Sequence, residues 1–278
     1  MRTALQEQFA LNRVRWDEAV GIHLAAKSYD FTALRSGRGH LHPIEEVEVG
    51  SVEGIRVLHL QCHFGRDTLV LAQRGAEVVG LDFSELAIIA ARRLADETGL
   101  AARSRFVLAN VYDAQKSIPE PASFDLVFVT WGALCWLPDI EAWARIVAYF
   151  LRPGGSLYLA EVHPFAWVFD DQARAPNASL PEWFVSYFER EALELDDPTD
   201  YADPEARMRN QRTYTWMHSM GETISALIGA GLSLDWLHEH DNVPSRIFEC
   251  LVQGDDGMYR WPGTPWLPLA FSLRASRR

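Results

Sequence analysis

The stretch 57–84, VLHLQCHFGRDTLVLAQRGAEVVGLDFS, constrains this chain more than any other. A largely apolar run ending at Leu60 reads as a buried strand, and the polar turn after it opens a helix. A second apolar run over 77–82 reads as another buried strand, stopping on Asp82. In an α/β sheet, such a unit opens a cleft at the carboxyl edge of its first strand. A ligand then lies across the helix N-terminus. Asp82 at the tip of the second strand is placed to accept hydrogen bonds from a ribose diol, although it could instead cap the helix that follows. The chain is therefore expected to bind a nucleoside-containing cofactor.

The turn narrows the choice. A dinucleotide site needs glycines so that backbone amides can approach a pyrophosphate. Here Gln61 and His63 stand where the first two glycines belong, and only Gly65 remains. Side chains at those places would crowd a pyrophosphate. S-adenosylmethionine has none, presenting a small zwitterion and a sulfonium, and a turn with one glycine and polar side chains can cradle it. A nicotinamide-dependent oxidoreductase is correspondingly disfavoured. Gln61 and His63 become contacts to the methionine moiety, or else residues that only tolerate the turn.

Beyond this unit the alternation of strand and helix continues. Strands are expected near 55–60, 77–82, 105–110, 124–130 and 156–162. Ser84 caps a helix whose apolar face would be Leu86, Ile89, Ala90 and Leu94, ended by Gly99. Asp139 caps another, with Trp143, Ile146, Val147 and Phe150 on one face. Arg152-Pro153-Gly154-Gly155 turns the chain sharply into the fifth strand. Such alternation means an α/β fold, a doubly wound and mostly parallel sheet with helices on both faces. Before it, Leu5, Phe9, Asn12, Trp16, and Ala19 or Val20 recur at helical spacing, a second short helix is expected over His23 to Tyr29, and Gly37–Gly39 with Pro43 mark a loop. We read 1–50 as a helical cap and 163–219, rich in aromatics, carboxylates and prolines, as a lid inserted into a single domain spanning 1–278. A helix over 221–230, a strand over 232–241 and a last strand near 268–276 follow.

Composition excludes several classes. A net charge of −12 without basic blocks counts against nucleic acid as partner. No apolar run reaches the ~18 residues that a membrane span needs, and the start lacks a signal-peptide pattern. Cys62, Cys135 and Cys250 are too few and too scattered for a disulfide framework or a zinc site. The expectation is a cytoplasmic protein with reduced thiols and no membrane contact, a monomer or homodimer acting on a small molecule.

The segments NRVRWDEAVGIHLA, HLQCHFGRDTL, GLDFS, FDLVF, ALCWLPD, LRPGG, AEVHP and GETISALIGAGLSLDWLHEHD carry a resemblance. In order and over nearly the whole chain, they resemble class I S-adenosylmethionine-dependent methyltransferases of the small-molecule group with an LQCHFGxDT first motif. The resemblance implies a Rossmann-like seven-stranded sheet closed by a C-terminal antiparallel hairpin. It also implies that Asn110 meets the adenine amine beside Val111, and that the backbone at Thr130 and Trp131 holds the methionine amino group. Phe83 would pack on the adenine or on the sheet.

On the acceptor side, Glu161 and His163 follow the fifth strand, where a histidine could take a proton from an acceptor or simply anchor the lid. His23 is a further catalytic candidate. Trp16, Tyr29, Trp136, Trp216, His218 and His240 are candidates to border the acceptor, each also readable as ordinary packing. His218 and Glu222 form half of a metal motif without its partner histidine, so no metal is expected. Ten tryptophans suit a box for a sulfonium and a flat acceptor, which points to a phenol or indole of secondary metabolism. A cofactor-binding scaffold that does not methylate is the alternative from another class.

Overall fold

A computed structural model describes residues 2–26, 29, 31–169, 182–203 and 205–278. In chain order the cap contributes α1 (Arg2–Ala25), α2 (Thr32–Arg35) and α3 (Pro43–Glu48). The alternating part runs β1 (Arg56–Leu60), α4 (Arg66–Gln73), β2 (Glu77–Asp82), α5 (Glu85–Glu97), β3 (Ser104–Leu108), α6 (Ala114–Ser117), β4 (Phe124–Thr130), α7 (Ile140–Phe150) and β5 (Leu151–Val162). After it come β6 (Leu193–Asp196), β7 (Arg212–Thr215), α8 (Met220–Gly229), β8 (Leu232–His240), β9 (Asn242–Val243), β10 (Val252–Gln253), β11 (Tyr259–Arg260) and β12 (Ala270–Arg277).

Seven strands form one sheet in the order β3-β2-β1-β4-β5-β12-β8. The first five are parallel, and β12 runs antiparallel to both β5 and β8. This is the expected Rossmann-like, mostly parallel sheet with an antiparallel C-terminal pair. The strand order reverses between β1 and β4, and in such sheets the crevice for a ligand opens at the carboxyl ends of those two strands. Two layers of apolar side chains cover the faces, one around Leu58, Leu81, Trp143 and Phe150, the other around Phe64, Leu69, Phe106, Phe128 and Tyr158.

Local details follow from the residues, with some differences. Ser84 caps α5 as expected, its hydroxyl accepting the Ala87 amide at 3.1 Å. The buried face of α5 is Ala87, Ile88, Ala91, Leu94 and Ala95, however, while Leu86 and Ile89 are 48% and 53% exposed. Small alanines let the helix sit close to the sheet, and that favours their face over the bulkier one. The face of α7 is as read, with Trp143, Ile146, Val147 and Phe150 all buried. Arg152–Gly155 does not precede the fifth strand but loops out inside it: Leu151 pairs with Phe124 and Ser156 with Leu126. His23 closes the last turn of α1 and starts no second helix, while residues 27, 28 and 30 lie outside the described residues. Pro43 begins a short helix, at the first helical position where its missing N–H costs nothing.

The C-terminal pair is not a tight hairpin. Residues 241–269 leave the sheet to build a small sheet ordered β10-β11-β9. Phe248, Leu251 and Trp261 pack there against Val162 and Leu269. In the expected lid, residues 170–181 and 204 lie outside the described residues, and what is described centres on the antiparallel pair β6 and β7. Asn12 of α1 ties itself to this pair, donating to the Tyr214 carbonyl and accepting the Tyr214 amide, both at 2.8 Å.

Candidate cofactor and acceptor site

The turn after β1 is held in a conformation that glycine would normally supply. Gln61 and His63 sit at φ 58° and 50°, in the left-handed region. That costs each non-glycine residue about 1–2 kcal/mol, and such strain concentrates at functional sites. Three backbone donors fix the turn: the Cys62 amide to the Leu81 carbonyl at 2.9 Å, the Gly65 amide to the Cys62 carbonyl at 2.9 Å, and the His63 amide to Asp82 Oδ2 at 2.8 Å. Gly65 has φ 72°, and a Cβ there would stand 2.5 Å from the Phe106 ring. The turn and the strand-two carboxylate are therefore a single unit.

Asp82 is buried, and burial pushes its carboxyl up to about 6. Its Oδ1 accepts the Ser84 amide at 2.9 Å. A carboxylate offers about four lone-pair positions. Two are filled by backbone amides, which leaves acceptor capacity at the strand tip. Gln61 donates its amide to the Ala133 carbonyl at 2.7 Å, while its Oε1 is buried with no partner among the described residues. A buried acceptor without a donor is costly unless something fills it. The edge between β1, β2 and β4 thus presents acceptors awaiting donors.

Other expected contacts have internal tasks. Asn110 Oδ1 accepts the Tyr112 amide at 3.0 Å and caps a short turn, and Val111 is buried in the core. Phe83 lies partly exposed beside Asp82. Thr130 is buried at the end of β4. Trp131 follows at φ 50°, and its indole donates to Glu45, a fully buried carboxyl raised well above its ordinary value by burial. That ring therefore points to α3, which leaves the backbone of the β4 edge as what faces the crevice.

The two candidate bases are occupied, and Glu161 lies within β5 while only His163 follows it. Glu161 accepts four backbone amides, from Gly132 (2.7 Å), Ala133 (2.5 Å), Leu134 (2.8 Å) and Val162 (3.1 Å). Its task is to pin the loop after β4, and a carboxylate so saturated has no lone pair for an acceptor proton. His163 Nδ1 accepts the Phe165 amide at 3.1 Å, so Nε2 carries the proton and faces Glu239 at 3.1 Å. Neither ring nitrogen is left to act as a base. His218 is tied to the Leu137 carbonyl at 2.6 Å, and His240 to Ser272 at 2.8 Å, in a group around Glu48 that also holds His238 and Tyr158. Trp216 is buried, its amide donating to the Cys135 carbonyl at 2.8 Å, and it lines a small cavity with His218, Trp167 and Phe271.

Above the turn the remaining candidates do assemble. Trp16 lies edge-on to His63 at 5.3 Å and to Trp136 at 5.4 Å, and Tyr29 stacks on His23 at 5.2 Å. His23 is fully buried, with Nδ1 2.8 Å from His63 Nε2 and Nε2 3.0 Å from both Asp200 carboxylate oxygens. Tyr201 meets His23 at 4.8 Å and shares a 2.6 Å hydrogen bond with Tyr29. Asp200 and Tyr201 escaped the sequence reading. Asp200 lies 177 residues from His23, and it and Tyr201 are in a segment without periodicity, where the only trace was an acid beside an aromatic residue. Among the described residues no helix is long and apolar enough to cross a membrane, and no cluster of residues is arranged to hold a metal ion.

Comparisons with known proteins agree with this geometry. Residues 57–155 match a family model described as a methyltransferase domain. A ubiquinone biosynthesis O-methyltransferase of Idiomarina loihiensis is 31% identical over 130 residues, which are 44% of this chain and 51% of that protein. The chain thus spans about half the length of the curated relatives it matches. An S-adenosylmethionine-dependent methyltransferase from Mesorhizobium loti superposes with a TM-score of 0.57 at 22% identity, covering 84% of this chain and 96% of that one. A geranyl diphosphate C-methyltransferase from Streptomyces coelicolor, solved with S-adenosyl-L-homocysteine, gives 0.51 at 14% identity, covering 82% and 75%. Sheet order, turn and matched segment converge: residues 57–155 match the methyltransferase-domain model, and the chain has the Rossmann-like fold of S-adenosylmethionine-dependent methyltransferases.

Proposed function

We propose that this protein is an enzyme that transfers a methyl group from S-adenosylmethionine to a small acceptor with a flat aromatic or heteroaromatic ring. One observation carries the cofactor: the crevice edge offers acceptors, not phosphate-binding amides. Asp82 retains lone pairs for a diol, Gln61 Oε1 lacks a donor among the described residues, and side chains in place of two glycines would crowd a pyrophosphate. In this reading Asp82 holds the ribose, and Gln61 with the backbone at Thr130–Trp131 receives the amino group. The cofactor supplies an electrophilic methyl on a good leaving group, so the chain's own contribution is to align the acceptor and exclude water. Such positioning supplies about 7–11 kcal/mol.

The acceptor side is read from the aromatic faces of Trp16, Trp136, Tyr29 and Tyr201, carried by α1, the loop after β4, the segment following α1 and the 163–219 segment. That segment acts as the lid. Relatives whose names include O- and C-methyltransferases sit on the same scaffold, so the acceptor is decided by these added parts. The test is incubation with methyl-labelled S-adenosylmethionine and a panel of phenols, indoles and amines. Label is expected in a ring-bearing acceptor. Fluorescence enhancement on mixing with NADH, with no label transferred, would contradict the reading.

A further inference from the structure

Asp200, His23 and His63 come from three separate elements: the lid, the last turn of α1 and the turn after β1. Resting on the methyl-transfer reading above, we propose that His63 takes the proton from the acceptor's nucleophilic O–H or N–H. His23 and Asp200 are then positioning residues that fix its tautomer and carry the charge.

The hydrogen bonds dictate where the protons sit. Burial alone would raise the Asp200 carboxyl, but the hydrogen bonds from His23 and from the Ala202 amide hold it below its ordinary value, so it is ionised at neutral pH and can only accept. His23 Nε2 must then donate to it across 3.0 Å, and in the neutral ring this leaves Nδ1 as an acceptor. His63 Nε2 must donate to this Nδ1 across 2.8 Å. One lone pair remains at the end of the chain, on His63 Nδ1. That nitrogen has no hydrogen-bond partner among the described residues, and its ring is partly exposed, beside Trp16 and one ring from Trp136.

The charged surroundings agree. Burial pushes His63 well below its ordinary value, so its ring is neutral at physiological pH and keeps a lone pair to take a proton as the methyl is transferred. Tyr29 and Tyr201 pack on His23, with Asp67 and Arg66 of opposite sign acting on Tyr29, and Arg15 acts on Asp200. Asp82 meets His63 only through the backbone amide. In the step itself the acceptor's O–H or N–H bond breaks, and its electron pair stays on the acceptor atom as the new bond to the methyl carbon forms. Electron balance closes with the pair of the broken sulfur–carbon bond left on the departing thioether. The proton binds His63 Nδ1, the Nε2 proton of His63 passes to His23 Nδ1, and the positive charge rests beside the Asp200 carboxylate.

The experiment has two arms. In the first, long-range proton–nitrogen spectra of the full chain labelled with nitrogen-15 histidine, without ligand, should show both rings protonated at Nε2 and His63 Nδ1 bare at pH 7. Asp200→Ala should disturb the tautomer of both rings. In the second, with the panel acceptor that takes most label, His63→Gln and Asp200→Ala should lower kcat by about 10²-fold or more and abolish the acid limb of its pH profile. Asp200→Glu should restore part of the rate. Affinity for S-adenosylhomocysteine should stay within about threefold in calorimetry, a change of under 1 kcal/mol. A proton on His63 Nδ1, an unchanged kcat, or a rate loss matched by an equal loss of cofactor affinity would overturn the relay. A wild-type chain that binds no S-adenosylhomocysteine would sink the methyl-transfer reading itself, and with it the relay. Binding together with the wrong tautomer sinks the relay alone.

Discussion

The two sides of the crevice are built by different rules. On the β1–β4 side, strand, turn and helix follow one another within a few residues, and each contact is made by a near neighbour: Asp82 holds the His63 amide 19 residues away and the Ser84 amide two residues away. On the cap side, contacts join distant segments: Asn12 to Tyr214, Arg15 to the Asp197 and Thr199 carbonyls, His23 to Asp200. The first side is a repeated local solution to parallel-sheet packing and fits what the whole scaffold class binds. The second depends on contacts between segments far apart in the chain, and it is where we propose that the acceptor is chosen.

Four perturbations test that contrast, beginning with the largest. If the cofactor side is a rigid local unit, Gly65→Val should be worst, since its φ of 72° disfavours a side chain and Phe106 occupies the space. A loss of about 4 kcal/mol in urea unfolding is expected; a loss below ~1 kcal/mol would mean that the turn yields. Asp82 comes next. Its folded carboxyl, at about 6 against an ordinary 3.8, holds its proton more tightly than the unfolded chain does. It therefore stabilises the fold at low pH, and about 3 kcal/mol should be lost as pH rises from about 4 to about 6. The stability difference between wild type and Asp82→Ala, followed across that window without ligand, reads this directly. A flat difference would contradict the burial of the carboxyl.

On the cap side effects should be smaller and confined to the lid. Asn12→Ala removes both bonds to Tyr214 and should cost about 2 kcal/mol, with faster proteolysis within 182–219 and an unaltered melting profile for α4 and α5 amides in hydrogen exchange. Spread of the loss into the sheet would blur the contrast. Least of all, Ile89→Gln on the exposed face of α5 should change stability by under ~0.5 kcal/mol, against about 2–4 for Ile88→Ala on the buried one.

The same contrast explains what could be read in advance. The succession of strands and helices, the caps at Ser84 and Asp139, and the face of α7 follow from short-range patterns, so they were legible. The face of α5 was misread because size was taken for burial where close packing selected alanine. Gln61 and His63 were recognised as replacements for glycine, and the structure adds that they adopt the glycine conformation. Glu161 and His163 looked like a base and its companion because they end a central strand, yet saturation of their polar atoms shows only in three dimensions. Asp200 had no signal beyond the aromatic residue next to it.

One titration reaches the central claim most directly: S-adenosylhomocysteine into wild type and Asp82→Ala, by calorimetry at pH 7.5. The account expects one site per chain in wild type and at least about tenfold weaker binding in the variant, a loss of about 1.4 kcal/mol or more. Equal affinity in the two proteins, or no binding to either, would contradict it.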